Sequence, residues 1–111
     1  MKNKYGNRKV TVGGETFDSR REYRRWCELK LLEKAGKIHD LFRQVKFELI
    51  PAQYENGKCV ERAVSYIADF VYWDGEKMIV EDVKSEATRT PEYIIKRKLM
   101  RRNGYVIREV E

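Results

Sequence analysis

The sequence predicts an α/β (α+β) chain in which a helix, three strands, a second helix and a closing strand follow a short N-terminal hairpin. Three stretches carry that expectation. Ser19-Arg20-Arg21-Glu22 opens an amphipathic run that Gly36 closes. A β-branched and aromatic run over 65–73 breaks at Asp74-Gly75 and returns over 78–84, the pattern of a tight hairpin. Thr90-Pro91-Glu92 opens a second helical run that ends at Asn103-Gly104. At 111 residues the chain forms one domain over 1–111, large enough for a single core.

Residues 1–9 are polar and basic, with Lys4, Arg8 and Lys9 beside Tyr5-Gly6-Asn7; they read as a terminal arm or as a segment that folds against a phosphate backbone. VTVGGETF over 10–17 turns at Gly13-Gly14 and predicts the small hairpin. The first helix should run from Ser19 to about Ala35. Ser19 followed by Glu22 fits a capping box, in which the glutamate returns to the N–H of the cap. On a helical wheel Glu22 also lies in the apolar arc with Tyr23, Trp26, Cys27 and Leu29, while Arg21, Arg24, Arg25 and Glu28 gather opposite. A carboxylate on that arc calls for a partner, so cap and metal ligand are both open roles.

Leu41, Val45, Phe47 and Leu49 alternate over 38–49, a strand pattern clearest from Gln44 and ended by Pro51. Asn56-Gly57 marks a second hairpin tip within 52–61. In the second helix Tyr93, Ile95, Leu99 and Met100 make an inward arc into which Lys96 projects, either to snorkel along its own stem or to sit over a phosphate. Residues 105–110 form the last strand.

Twenty-four Lys and Arg against 18 Asp and Glu give a net charge of +6, which suits a polyanionic partner, nucleic acid first among them. No apolar run approaches the roughly 20 residues of a membrane span, and the N-terminus lacks the apolar core of a signal peptide, so an intracellular, non-membrane protein is expected. Cys27, Cys59 and His39 are too few and too scattered for a zinc site; both cysteines read as packing residues.

The chemistry concentrates on the 65–84 hairpin. Asp69 lies within one strand; in the other, Asp82 and Lys84 share a face while Glu81 and Val83 point the other way. Two carboxylates converging at a sheet edge can hold Mg²⁺ through oxygen while leaving room for water and phosphate. A lysine two residues after one ligand can orient that water or offset developing negative charge.

These residues resemble the PD-(D/E)xK nuclease superfamily: Asp69 matches the first acid and Asp82-Val83-Lys84 the (D/E)xK tripeptide, with Ala68 where a proline often stands. The element order is similar to the restriction-endonuclease-like core, a mixed β-sheet flanked by two helices. FDSRREYRRWCELKLLEKAGKI, LFRQVKFEL, YIADFVYWDG, VEDVKS and YIIKRKL together resemble a small phage- and prophage-borne branch of that superfamily. The resemblance implies Mg²⁺-dependent hydrolysis of DNA phosphodiesters, with Mn²⁺ able to substitute, in the cytoplasm of a bacterial host. Asp69, Asp82 and the Val83 carbonyl would bind the ion, and Glu22 would assist directly or through water. Lys84 would position the water, Lys96 or Lys98 would steady the phosphate, and Lys4, Arg8, Lys9, Arg20 and Arg21 would contact the backbone. So small a domain leaves little room for sequence readout, so branched DNA or junctions are the expected substrates. Symmetric cutting would call for a homodimer. The alternative is a non-catalytic, basic nucleic-acid-binding phage protein that uses its carboxylates only in salt bridges.

Overall fold

A computed structural model describes residues 9–111. In chain order the elements are β1 (Val10–Val12), β2 (Glu15–Phe17), α1 (Arg20–Lys34), β3 (His39–Ile50), β4 (Gln53–Glu55), β5 (Lys58–Glu61), β6 (Val64–Asp74), β7 (Lys77–Val83), a 3-10 turn (Glu86–Thr88), α2 (Pro91–Arg102) and β8 (Ile107–Val110). β3, β6, β7 and β8 form one mixed sheet in that order, antiparallel except for the parallel β7–β8 pair. Parallel neighbours need a crossover, and α2 supplies it. The predicted α/β architecture is therefore present, with β1–β2 and β4–β5 as separate hairpins.

Each face of the sheet carries one helix. Leu29 of α1 packs with Ile38, Phe70, Tyr72 and Ile79, while Tyr93 and Met100 of α2 pack with Tyr66, Ala68, Val71, Val80 and Ile107. Ile79 and Val80 are consecutive in β7, so their two clusters lie on opposite faces. The hairpin turn closes where expected, with Gly75 at a φ of 63° that a β-carbon would disfavour.

Several expectations need correction. The 65–84 hairpin is not at a sheet edge: β6 and β7 are the two inner strands. Only half of the capping box forms, since Ser19 Oγ accepts from the Glu22 N–H at 3.2 Å but the Glu22 carboxylate bonds the N–H of Asp18, one residue before the cap. Arg25 does not join the solvated face of α1; Arg25 Nη2 donates to Glu81 Oε2 at 3.0 Å, because a fully buried carboxylate draws the nearest long cation inward. Cys27 and Cys59 are exposed and free, not packing residues. In α2, Ile94 reaches the core and Ile95 is 59% exposed, a consequence of Tyr93 and Met100 setting the inward line. The last strand begins at Ile107 instead of 105.

A reversal of faces within β3 and β6 positions the acidic side chains. In β3, Leu41 packs against the α1 cluster, whereas Val45, Phe47 and Leu49 pack against the α2 cluster. In β6, Phe70 and Tyr72 face α1, yet Ala68 and Tyr66 face α2. Strict alternation would keep residues of one parity on one face. The switch falls between the pairs Arg43–Phe70 and Val45–Ala68, where Gln44 and Asp69 stand opposite one another. Gln44 has a φ of 52°, left-handed backbone inside a strand.

Candidate functional site

β6 and β7 pair through Phe70–Glu81 and then separate, and the first side chains past that point are Asp69 and Asp82. Their carboxylates replace the lost ladder. The Asp69 N–H donates to Asp82 Oδ1 at 3.0 Å, and the Val83 N–H donates to Asp69 Oδ2 at 2.9 Å. Both acids are thus fixed by main-chain donors, and each carboxylate oxygen retains a lone pair for another partner.

Lys84 sits beside them because β7 alternates regularly: its Nζ lies 3.3 Å from Asp82 Oδ2 and 4.3 Å from the centroid of the Tyr93 ring. That ring is held in turn, its hydroxyl donating to Glu109 Oε2 at 2.6 Å. Val83 packs against the α1 cluster and Glu81 bonds Arg25 and Tyr72 Oη there, so the expected division of faces in β7 holds.

Glu22, in the first turn of α1, approaches from the other side and is 2% exposed. Its Oε1 accepts from Gln44 Nε2 at 3.0 Å and from Arg43 Nη2 at 3.3 Å; its Oε2 accepts from the Asp18 N–H at 3.1 Å. Arg43 itself stacks on Phe17, with the guanidinium carbon 3.8 Å from the ring centroid. Burial, opposed by the Asp18 N–H and by Arg43, still raises the Glu22 pKa.

The electrostatics follow from this crowding. Burial first, then the neighbouring Asp82 and Glu22 charges, push the Asp69 pKa up to about 8, against the partial relief of the Val83 N–H. The Tyr66 phenol, buried and near Asp82 and Asp69, is pushed well above its ordinary range and stays protonated. Its hydroxyl lies beside Asp82 but closes no well-formed hydrogen bond among the described residues.

Asp69, Asp82, Lys84, Tyr66, Gln44 and Lys96 all line a cavity of about 380 Å³ between the open end of the sheet and α2. Lys96 Nζ is 3.1 Å from Glu92 Oε1 at its rim. A larger hollow of about 720 Å³, between the N-terminal hairpin and α1, is lined mainly by Phe17, Tyr23, Trp26 and Leu31 and lies away from the paired acids.

Of the basic residues singled out from sequence, Lys84 and Lys96 are the described ones that reach the cavity. Lys98 is exposed elsewhere on α2, Arg20 and Arg21 are exposed at the start of α1, and Lys9 is exposed before β1. Lys4 and Arg8 lie outside the described residues. Among the described residues no three His, Cys, Asp or Glu side chains gather closely enough to hold one metal ion. The direct donors for an ion would therefore be Asp69, Asp82 and the Val83 carbonyl, with Glu22 further out.

Residues 2–110 match the model of a family described as protein of unknown function (DUF1064). The chain belongs to that family. No curated protein and no solved structure matches it. The DUF1064 description assigns no chemistry. Sequence reasoning missed Tyr66, Arg43 and the part played by Gln44. Tyr66 and Arg43 resemble ordinary strand residues; the docking of α1 brings Glu22 to Arg43, and the reversal of faces turns Tyr66 toward the paired acids.

Proposed function

We propose that the chain is a metal-dependent endodeoxyribonuclease of the PD-(D/E)xK, restriction-endonuclease-like type, hydrolysing phosphodiesters of branched DNA in phage recombination or replication within a bacterial host. The observation that carries this reading is the Asp69–Asp82 pair, fixed by main-chain donors at the point where two inner strands part, with Lys84 beside it. Burial first, and then the neighbouring carboxylates, push the Asp69 pKa up to about 8, a strain that a divalent ion would relieve. The donors are hard oxygens, which suits Mg²⁺ or Mn²⁺ over softer metals.

Asp69, Asp82 and the Val83 carbonyl would hold the ion, and Glu22 would reach it through water. When bound, the ion supplies charge that makes a water more acidic and offsets charge on the phosphate. Lys84 orients the attacking water, whose oxygen bonds to phosphorus as the phosphorus–oxygen bond to the leaving sugar breaks. Lys96, on the opposite wall, draws the phosphate in. Lys9, Arg20, Arg21 and Lys98 add affinity that salt would weaken through counterion uptake. Symmetric cleavage of two strands would require two copies of the chain.

The second reading, a nucleic-acid-binding module without catalysis, is favoured by the closure of Asp82 with Lys84 and of Glu92 with Lys96 inside the chain. One experiment separates the two. Single-stranded, duplex, flapped and four-way DNA are incubated with Mn²⁺, with and without EDTA. Cutting that EDTA abolishes is the expected result; tight binding to several forms with no cutting of any would establish the module.

A further inference from the structure

Arg43 and Gln44 are consecutive strand residues, yet both donate to the same oxygen, Glu22 Oε1. Extended backbone sends neighbouring side chains to opposite faces, so this convergence needs a local reversal. The reversal is Gln44 itself, whose φ of 52° is a conformation that costs energy for any residue with a β-carbon and that glycine or asparagine would adopt more readily. The strain sits directly across from Asp69, where the sheet changes faces and the cavity opens.

From this we infer that Gln44 is a positioning residue for Glu22: its kinked backbone and its amide together hold the third carboxylate toward the Asp69–Asp82 pair. The inference rests on the nuclease reading. Glu22 has three donors, and they divide its work. The Asp18 N–H and Arg43 fix the carboxylate to the α1 side, since Arg43 is itself clamped on Phe17 and bonds the Thr16 carbonyl at 3.1 Å. Asp18 and Gln44 both border the cavity, but the Asp18 N–H is main chain of the α1 lead-in and holds Oε2, whereas the Gln44 amide reaches Oε1 from β3, the strand paired with Asp69's, so Gln44 sets how far Glu22 leans toward the ion site. A neutral amide does this without cancelling the negative charge of Glu22, as a second cation would. Outer partners of this kind tune metal affinity about 10- to 100-fold.

Gln44→Gly separates the two properties, because glycine keeps the left-handed backbone without strain while the amide is lost. Mn²⁺ binding is measured calorimetrically, and melting temperature is measured without metal, for wild type, Gln44→Gly, Glu22→Ala and the double variant. The expected result is a Gln44→Gly melting temperature at or above wild type with Mn²⁺ affinity weakened about tenfold or more. Glu22→Ala should weaken it at least as much, and the double variant no further. Gln44→Gly that binds Mn²⁺ as wild type does would overturn the inference and leave the nuclease reading standing. A clear drop in its melting temperature would also overturn it, by making Gln44 a purely structural residue. Wild type that takes up no Mn²⁺ would remove the nuclease reading, and the inference with it.

Discussion

Asp69 and Asp82 are joined through the main chain: the Asp69 N–H donates to Asp82 Oδ1 at 3.0 Å, and the Asp69 carboxylate accepts from the Val83 N–H at 2.9 Å. Two carboxylates brought together in this way would ordinarily repel. Here each carboxylate is tethered to a main-chain N–H of the parting strands, so the sheet itself holds the like charges in contact. Proton, lysine or divalent ion must then relieve them.

The first consequence is a pH dependence of stability in the absence of metal. Folded Asp69 titrates at about 8, whereas an unfolded aspartate titrates near ~3.9. Between those values the folded chain holds a proton that the unfolded chain has released, so stability falls as pH rises from about 4 to about 8 and levels off above. Asp69→Asn should flatten that slope and raise the melting temperature more at pH 8 than at pH 5. Thermal melts in EDTA across this range provide the check, and a wild-type profile already flat would contradict the assigned titration.

Catalysis should depend on Asp82 and Lys84 much more than binding does. Asp82→Ala and Lys84→Ala are expected to lower the cleavage rate by at least about 100-fold, the scale of removing a group that offsets transition-state charge. DNA affinity, carried by many phosphate contacts, should change little in gel-shift titrations. Loss of binding in parallel with cutting would place these residues in the DNA interface and not in the chemistry.

On the opposite face, Glu81 is fully buried and held by Arg25 and by Tyr72 Oη at 2.6 Å, with Arg108 Nη1 donating to the same phenol oxygen at 3.2 Å. Arg25→Ala strands that carboxylate and should destabilise the fold by about 3 kcal/mol. Urea unfolding with an unchanged m-value would measure it. A loss below about 0.5 kcal/mol would mean that Tyr72 alone satisfies Glu81.

Tyr66 offers the reverse case. Its buried hydroxyl borders the cavity beside Asp82 and closes no well-formed hydrogen bond among the described residues, so Tyr66→Phe removes a poorly satisfied group while leaving the ring against Tyr93 and Phe47. The variant should be more stable by about 1 kcal/mol without metal. If chemical denaturation instead shows a loss, the phenol is hydrogen-bonded in solution.

The amino-acid order by itself determined the elements and much of the acid–base pattern. Ser19, Thr90 and Pro91 mark where helices start, Asp74-Gly75 marks the turn, and alternation in β7 separates Asp82 and Lys84 from Glu81 and Val83; all of these are local, set by the conformation of a few adjacent residues. Only the tertiary structure decided that β6 and β7 are inner strands, that Arg25 turns inward to Glu81, and that Gln44 breaks alternation opposite Asp69. Each of those depends on a partner distant in sequence. A periodic pattern reports which face a residue takes while the strand stays regular, and says nothing of where packing on both faces forces it to turn over.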